Sequence, residues 1–374
     1  MDHKSLAKAI EFRHELHQHP YLSNEERPTL ERIIRFLNEN TMNIEVMDKG
    51  HYVYAVYRAK NPQRPAIAFR SDNDAIKVYD DIEKPYKSVT DGVAHKCGHD
   101  GHTATMAAFA LEIDKNGADR DIYFLFQPAE ENGSGAAQCT DFITDNQIPE
   151  IFAFHNEPGH PKYTVMIRDG LLCCASKGMI ITMTGAPSHA SEPENGKNPS
   201  FAIAKTALAS ERIAAPENYK GLVLATIVQI DVGEKEAFGV SASKGKLLMT
   251  IRGEYEEEMD ALQEKLEEEA RKNAAEYGLE CEFSYCDAFP QTLSHPESNE
   301  KIRKAAAELD LPVHEIPKAL RGSEDFGHFT KLAKGAMFFM SYGEDKPMIH
   351  TSKYDFDDDL IEPVVELYRK LLSY

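Results

Sequence analysis

Positive charge is scarce in this sequence. Its 374 residues hold 42 Lys and Arg against 62 Asp and Glu, a formal net charge of -20. That field repels a phosphate backbone, so nucleic acid is not expected as a partner. Long apolar runs are missing too. No stretch reaches the roughly 18 residues of a spanning helix, so no membrane partner is expected. The opening residues, Met1 to Leu6, lack the apolar core of a secretory signal. Cysteine is sparse: six in this length do not make a disulfide framework. Cys173 and Cys174 are adjacent and do not easily bridge each other. Cys139, Cys281 and Cys286 read as small buried apolar residues. A reducing cytoplasm fits these absences. Internal repeats and low-complexity tracts are also absent. What is present is ordinary for a soluble globular protein, 42% hydrophobic and 28% charged. The length exceeds one typical core, so two domains are expected.

The densest chemistry lies in Cys97-Gly98-His99-Asp100-Gly101-His102. A thiol, two imidazoles and a carboxylate stand among glycines that let the backbone turn tightly. In an extended segment, side chains two apart share a face, which brings Cys97 and His99 together. Asp100 is placed to orient a neighbouring imidazole. A helical pattern follows from His102 to Ile113, so the stretch reads as a loop feeding a helix, where α/β active sites often lie.

Upstream, residues 4 to 17 and 28 to 40 have helical spacing. His14, His17 and His19 precede Pro20 and read as a polar helix end, where cationic side chains suit the dipole. Strands are expected at 52–57 and 66–69, the latter leading into Arg70-Ser-Asp72-Asn-Asp74. The continuous apolar runs Ile122 to Phe126 and Ile151 to Phe154 read as strands of a parallel sheet buried on both faces. They deliver Glu130, Glu131 and His155 at their C-terminal ends, where open α/β sheets bind ligands. From about 177 the order becomes strand 178–184, helix 197–214, strands 222–231 and 246–252, helix 254–277 and strand 280–285. That β-α-β-β-α-β order is ferredoxin-like and marks an inserted domain. The chain then returns through a helix at 297–309, an apolar strand at 336–340, a polar loop with His350, and a closing helix at 358–373.

Cys97, His99, Glu130, Glu131, His155 and His350 form the candidate constellation. Thiolate, imidazole and carboxylate are the ligand set of zinc and related borderline metals. A carboxylate pair such as Glu130-Glu131 can divide its work: one binds metal, and the other takes a proton from water.

These motifs resemble the M20 family of metallo-amidohydrolases and peptidases, in its aminoacylase-like branch of hippurate hydrolases, auxin-conjugate hydrolases and N-acyl amino acid deacylases. The matching stretches run nearly end to end: Arg13 to Pro20, Phe69 to Asp74, Cys97 to His102, Gln127 to Glu131, Gly322 to Phe326, and His350 to Phe356. The resemblance implies an α/β fold: a mixed-sheet, zinc-peptidase-like catalytic domain (1–176 plus 289–374) with an inserted ferredoxin-like α+β lid and dimerisation domain (177–288). It implies two divalent ions per subunit (zinc, manganese, cobalt or nickel). Cys97 would bridge them, with Glu131 and His350 on one ion and His99 and His155 on the other. Glu130 becomes the general base and acid, and His189 the lid histidine that polarises the substrate carbonyl. Arg252 matches a lid arginine that contacts substrate, and Asp72 and Asp100 support the ligands from behind. A cytoplasmic homodimer acting on a small molecule follows. The expected reaction is metal-assisted hydrolysis of N-acyl amino acids or similar conjugates, with a dipeptidase or aminopeptidase on the same scaffold as the alternative. Three places depart from the branch: Glu194 replaces a second lid histidine, Gly239 to Ser243 replaces its Asn-Val-Ile-Pro, and Asn156-Glu-Pro-Gly replaces an aromatic-rich segment. The ligand motifs are intact, whereas the substrate walls differ.

Overall fold

The computed structural model describes residues 1–374. By the density of its internal contacts the chain divides into two compact units. The first comprises Met1–Leu172, Thr292–Ala319 and Asp325–Tyr374, and the second Cys173–Gln291 and Leu320–Glu324.

The first unit is built on an eight-stranded sheet. Its order is Ile44–Asp48, Val53–Tyr57, Ile122–Gln127, Ile67–Asp72, Glu150–Glu157, Lys334–Ser341, Val165–Ile167, Val313–Glu315. The strands Ile122–Gln127, Ile67–Asp72, Glu150–Glu157 and Lys334–Ser341 are parallel to one another. Every residue of Ile122–Gln127 and Ile67–Asp72 is buried, as continuous apolar runs require. The expected parallel sheet is mixed at its flanks. The short link from Ile44–Asp48 to Val53–Tyr57 permits only an antiparallel neighbour, and Val53–Tyr57 runs antiparallel to Ile122–Gln127.

The helix His99–Asn116 is buried on all sides as far as Ile113. An apolar stripe would serve a surface helix. Here Ala104, Ala107, Ala108 and Ala110 leave room for close neighbours on every face. Phe109 meets Phe69 edge-on at 5.0 Å and Phe124 at 5.4 Å, which ties the helix to two central strands. The first helix, His3–Gln18, is capped by Asp2, whose carboxylate accepts the Lys4 and Ser5 N–H groups. Its end is not the solvated polar terminus expected, because His17 is buried against the central helix.

The second unit is a four-stranded antiparallel sheet in the order Val223–Val232, Lys244–Gly253, Ala175–Thr184, Glu280–Phe289. Helices Ser200–Ile213 and Glu256–Glu276 complete the ferredoxin-like sequence of elements. Alternation decides which face they cover. Met179, Ile181 and Met183 on one strand, and Leu247, Met249 and Ile251 on the next, point inward. The highly charged helix meets them with Met259, Leu262, Leu266, Ala270 and Ala274. Leu320–Glu324 returns to this unit: Cys174 N–H donates to Leu320 O, and Ser323 Oγ donates to Cys174 O. Cysteine usage differs in one respect from expectation. Cys139 is buried, but Cys281 is half-buried and Cys286 exposed, since the last strand is an edge.

Candidate metal centre

The motif at 97–102 is not an extended segment. Gly98 has φ +110 and caps the central helix, which begins at His99. A Cβ on Gly98 would lie 2.0 Å from Asn156 Oδ1 and 2.6 Å from Tyr354 Oη, so glycine is needed for space as well as for φ. Cys97 thus ends the loop while His99, Asp100 and His102 occupy the first helical turn. The turn at Gly98, rather than strand alternation, brings Cys97 and His99 together.

Each imidazole is oriented by a partner. His99 Nδ1 lies 3.0 Å from both the carbonyl and a carboxylate oxygen of Asp74. These are acceptors, so Nδ1 donates to them and Nε2 is the nitrogen turned toward the other candidate ligands. His155 Nδ1 donates to Asn156 O at 2.7 Å, which leaves its Nε2 to accept the Cys97 thiol, with Sγ at 3.4 Å. His155 lies inside the strand Glu150–Glu157 rather than just after it. His350 has φ +62 and a half-exposed ring, with Nε2 3.4 Å from Glu131 Oε1.

Two of the clustered ligand groups include Cys97. The donor atoms of Cys97, His99 and His155 all lie within 4.8 Å of one another, and so do those of Cys97, Glu131 and His350. Cys97 is the member they share. His99 Nε2 is also 3.8 Å from Glu130 Oε2 and from Glu131 Oε1.

The donor set fits divalent ions on this structure's own evidence. His99 Nε2 and Glu131 Oε1 are buried and make no hydrogen bond. Each such orphan costs about 1–3 kcal/mol unless something binds it. Burial and the nearby Glu131 and Glu130 push the Cys97 thiol well above its ordinary range. Burial disfavours a charged His99, yet Asp72 and Asp74 outweigh it and push the ring up to about 10. Excess negative charge of this kind is what cations relieve.

The loop that carries Glu130 and Glu131 is pinned by three buried carboxylates. Ala129 N–H donates to Glu26 Oε1 at 2.7 Å. Glu131 N–H donates to Asp74 Oδ2 at 2.9 Å. Asp325 accepts Gln127 Nε2, Arg70 Nη2 and Ala136 N–H. Ala129 is held at φ +50, a conformation that non-glycine residues seldom adopt. Burial and the Asp74 charge push Glu26 up to about 7.

Asp72 is buried between Arg70 and His102, with Oδ2 3.8 Å from His99 Nε2. Asp100 meets His17 Nδ1 at 2.7 Å and Arg13 at 3.8 Å, not a ligand imidazole. The task of orienting His99 falls to Asp74. His17 also meets Asp80, and these acids overcome its burial to push it up to about 9. His189 and Arg252 belong to the second unit. His189 is exposed, with Nδ1 2.6 Å from Ser191 Oγ. Arg252 Nη1 donates to Arg321 O and Ser323 Oγ.

Asp74, Glu26, Asp325 and Asn156 were not among the expected site residues. Asp74 and Asp325 stand inside recognisable motifs and were within reach of a closer reading. Glu26, in Glu25-Glu26-Arg27, has no local signal of burial.

Comparison with known proteins places these features. The model of "Peptidase family M20/M25/M40" matches residues 68–374. An uncharacterised hydrolase of Staphylococcus haemolyticus is 28% identical over 376 residues, covering 97% of this chain and 96% of the relative. Among solved structures, the Bacillus subtilis YXEP protein is described as a dinuclear metal-binding peptidase from the M20 family. It superposes with a TM-score of 0.81 at 24% identity, over 99% of this chain and 98% of that one. An aminobenzoyl-glutamate utilization protein from Klebsiella pneumoniae gives 0.75 at 21%, over 99% and 97%. No helix is long and apolar enough to cross a membrane.

Proposed function

This chain belongs to peptidase family M20/M25/M40, metal-dependent hydrolases of amide and peptide bonds, and from that premise we propose that it cleaves the amide bond of N-acyl amino acids or related small conjugates. The observation that carries the reading is the pair of ligand sets sharing Cys97, with Glu130 beside them. The description of the Bacillus subtilis neighbour as dinuclear is in line with two sites. The name of the Klebsiella pneumoniae neighbour, which joins an acyl group to glutamate, is in line with the bond type.

In this reading Cys97, His99 and His155 hold one divalent ion, and Cys97, Glu131 and His350 the other, with zinc, manganese, cobalt and nickel as candidates. When bound, the ions supply Lewis acidity that acidifies water and polarises the amide carbonyl. Glu130 takes the proton of the attacking water on a carboxylate oxygen. As the C–N bond breaks, Glu130 returns that proton to the leaving nitrogen. Asp74 keeps the His99 lone pair forward, and Glu26 and Asp325 hold the Glu130 loop. His189 donates a hydrogen bond to the carbonyl oxygen as charge develops there. Arg252 contacts substrate. The assembly is read as a homodimer in which each centre receives His189 from the partner subunit.

The test is turnover of metal-loaded protein on N-acetyl and N-benzoyl amino acids. Glu130→Gln should lower the rate about 10²–10⁴-fold while both ions remain. Near-native turnover by that variant would overturn the assignment of Glu130, and a metal-loaded protein inert on every amide would overturn the reading.

A further inference from the structure

The strand Glu150–Glu157 brings His155 to Cys97 and ends two residues later at Glu157. Side chains two apart on a strand project from the same face, with Cα atoms about 6.6 Å apart. Glu157 therefore stands on the ligand face, one step beyond His155. The strand is held there: Glu157 is in register with Ser341 of the parallel neighbour, and its carbonyl accepts Tyr342 N–H at 3.3 Å.

Glu157 is not a further metal ligand. It belongs to none of the groups whose donor atoms lie within 4.8 Å of one another. Glu157 is half-buried, and no protein hydrogen bond or ion pair is made to its carboxylate. A half-buried carboxylate that no protein donor satisfies, standing beside a hydrolytic centre, is a candidate for function. Being acidic, it accepts hydrogen bonds and favours a cation.

Building on the amidohydrolase reading, we propose that Glu157 receives a primary ammonium of the substrate, located within a few bonds of the scissile amide. The preferred substrates are then aminoacyl conjugates such as dipeptides, or acylated basic amino acids, rather than wholly uncharged acyl chains on neutral amino acids. Both sources present the same chemistry to Glu157, and matched compounds separate them. Glycyl-norleucine adds an ammonium to the acyl side of N-acetyl-norleucine. N-acetyl-lysine adds one to the amine side.

The experiment measures kcat/KM for the three compounds with metal-loaded protein, wild type and Glu157→Gln. Dissociation constants for the same compounds are measured in a Glu130→Gln background, with and without Glu157→Gln. Metal content of every variant is determined in parallel. At least one cationic compound should be preferred over N-acetyl-norleucine by about tenfold or more, as for one charge-assisted hydrogen bond. In Glu157→Gln that ratio should fall toward one with metal content unchanged. Equal or better use of N-acetyl-norleucine by the wild type would overturn the proposal while leaving the amidohydrolase standing. A ratio that persists in Glu157→Gln, undetectable binding of both cationic compounds, or loss of a metal ion in Glu157→Gln would overturn it too. Cation-selective binding that depends on Glu157, without turnover of any compound, would uphold Glu157 as the receptor and count against the hydrolytic reading.

Discussion

Replacing Glu26 with Gln tests how the loop bearing Glu130 is held. Glu26 is 2% exposed, and its Oε1 accepts the Ala129 N–H at 2.7 Å. The amide of Gln preserves that acceptor and removes the charge. Unfolded, the carboxyl ionises near its ordinary 4.5; folded, burial and Asp74 move it to about 7. Between those values the folded protein keeps a proton that the unfolded chain has lost, so this group lowers stability as pH rises. Each tenfold change in the proton equilibrium is worth 1.36 kcal/mol, so about 3 kcal/mol is lost by pH 8, of which about 1 kcal/mol is already lost at pH 5. Wild type minus Glu26→Gln should therefore change by roughly 2 kcal/mol between pH 5 and pH 8, in favour of Gln at the higher pH. Urea unfolding of chelator-treated wild type and variant at the two pH values reads this directly. A stability difference that does not move with pH would refute the buried, proton-retaining carboxyl. Glu26→Ala removes the acceptor as well. It should cost about 1–3 kcal/mol at pH 5, from the unpaired Ala129 N–H.

Cys97→Ser should bind both ions more weakly, because the shared thiolate is lost from both ligand sets; unchanged stoichiometry and affinity by metal titration would remove its bridging role. Gly98→Ala forces a Cβ to 2.0 Å from Asn156 Oδ1 at φ +110 and should lower stability by about 2 kcal/mol or more. A thermal midpoint equal to wild type would show that the turn has another geometry. Mixing His189→Ala subunits with Glu130→Gln subunits should restore activity in heterodimers, since one of their two centres then has both groups. Inactive verified heterodimers would place His189 in the service of its own subunit.

Much of the architecture was legible because burial on both faces writes itself as an apolar run. Ile122 to Phe126 and Ile151 to Phe154 have no other reading, and the order of elements from 175 to 289 names the inserted unit. Cys97 and His99 stood out because glycine-separated ligand residues are rarely packed into a core without partners. His17 was misread for the opposite reason. Its neighbours in sequence are polar, and the partner that makes it a buried ion is Asp100, which lies 83 residues away.

Composition and motif order alone point to an acidic chain with candidate Cys, His and Glu ligands and a resemblance to a metallohydrolase family, because residue chemistry and hydrophobic period are local properties. Which carboxylate serves which partner is not local. Asp72, Asp74 and Asp100 are similar acids in similar motifs, yet one pairs with Arg70 and His102, one orients His99, and one neutralises His17. Those assignments depend on which side chains the parallel strands and the central helix bring within about 3 Å, since hydrogen bonds act only at contact. Glu26 and Glu157 follow the same rule. Both read as ordinary surface acids until folding buries Glu26 and half-buries Glu157, leaving one with the Ala129 N–H and the other without a protein donor.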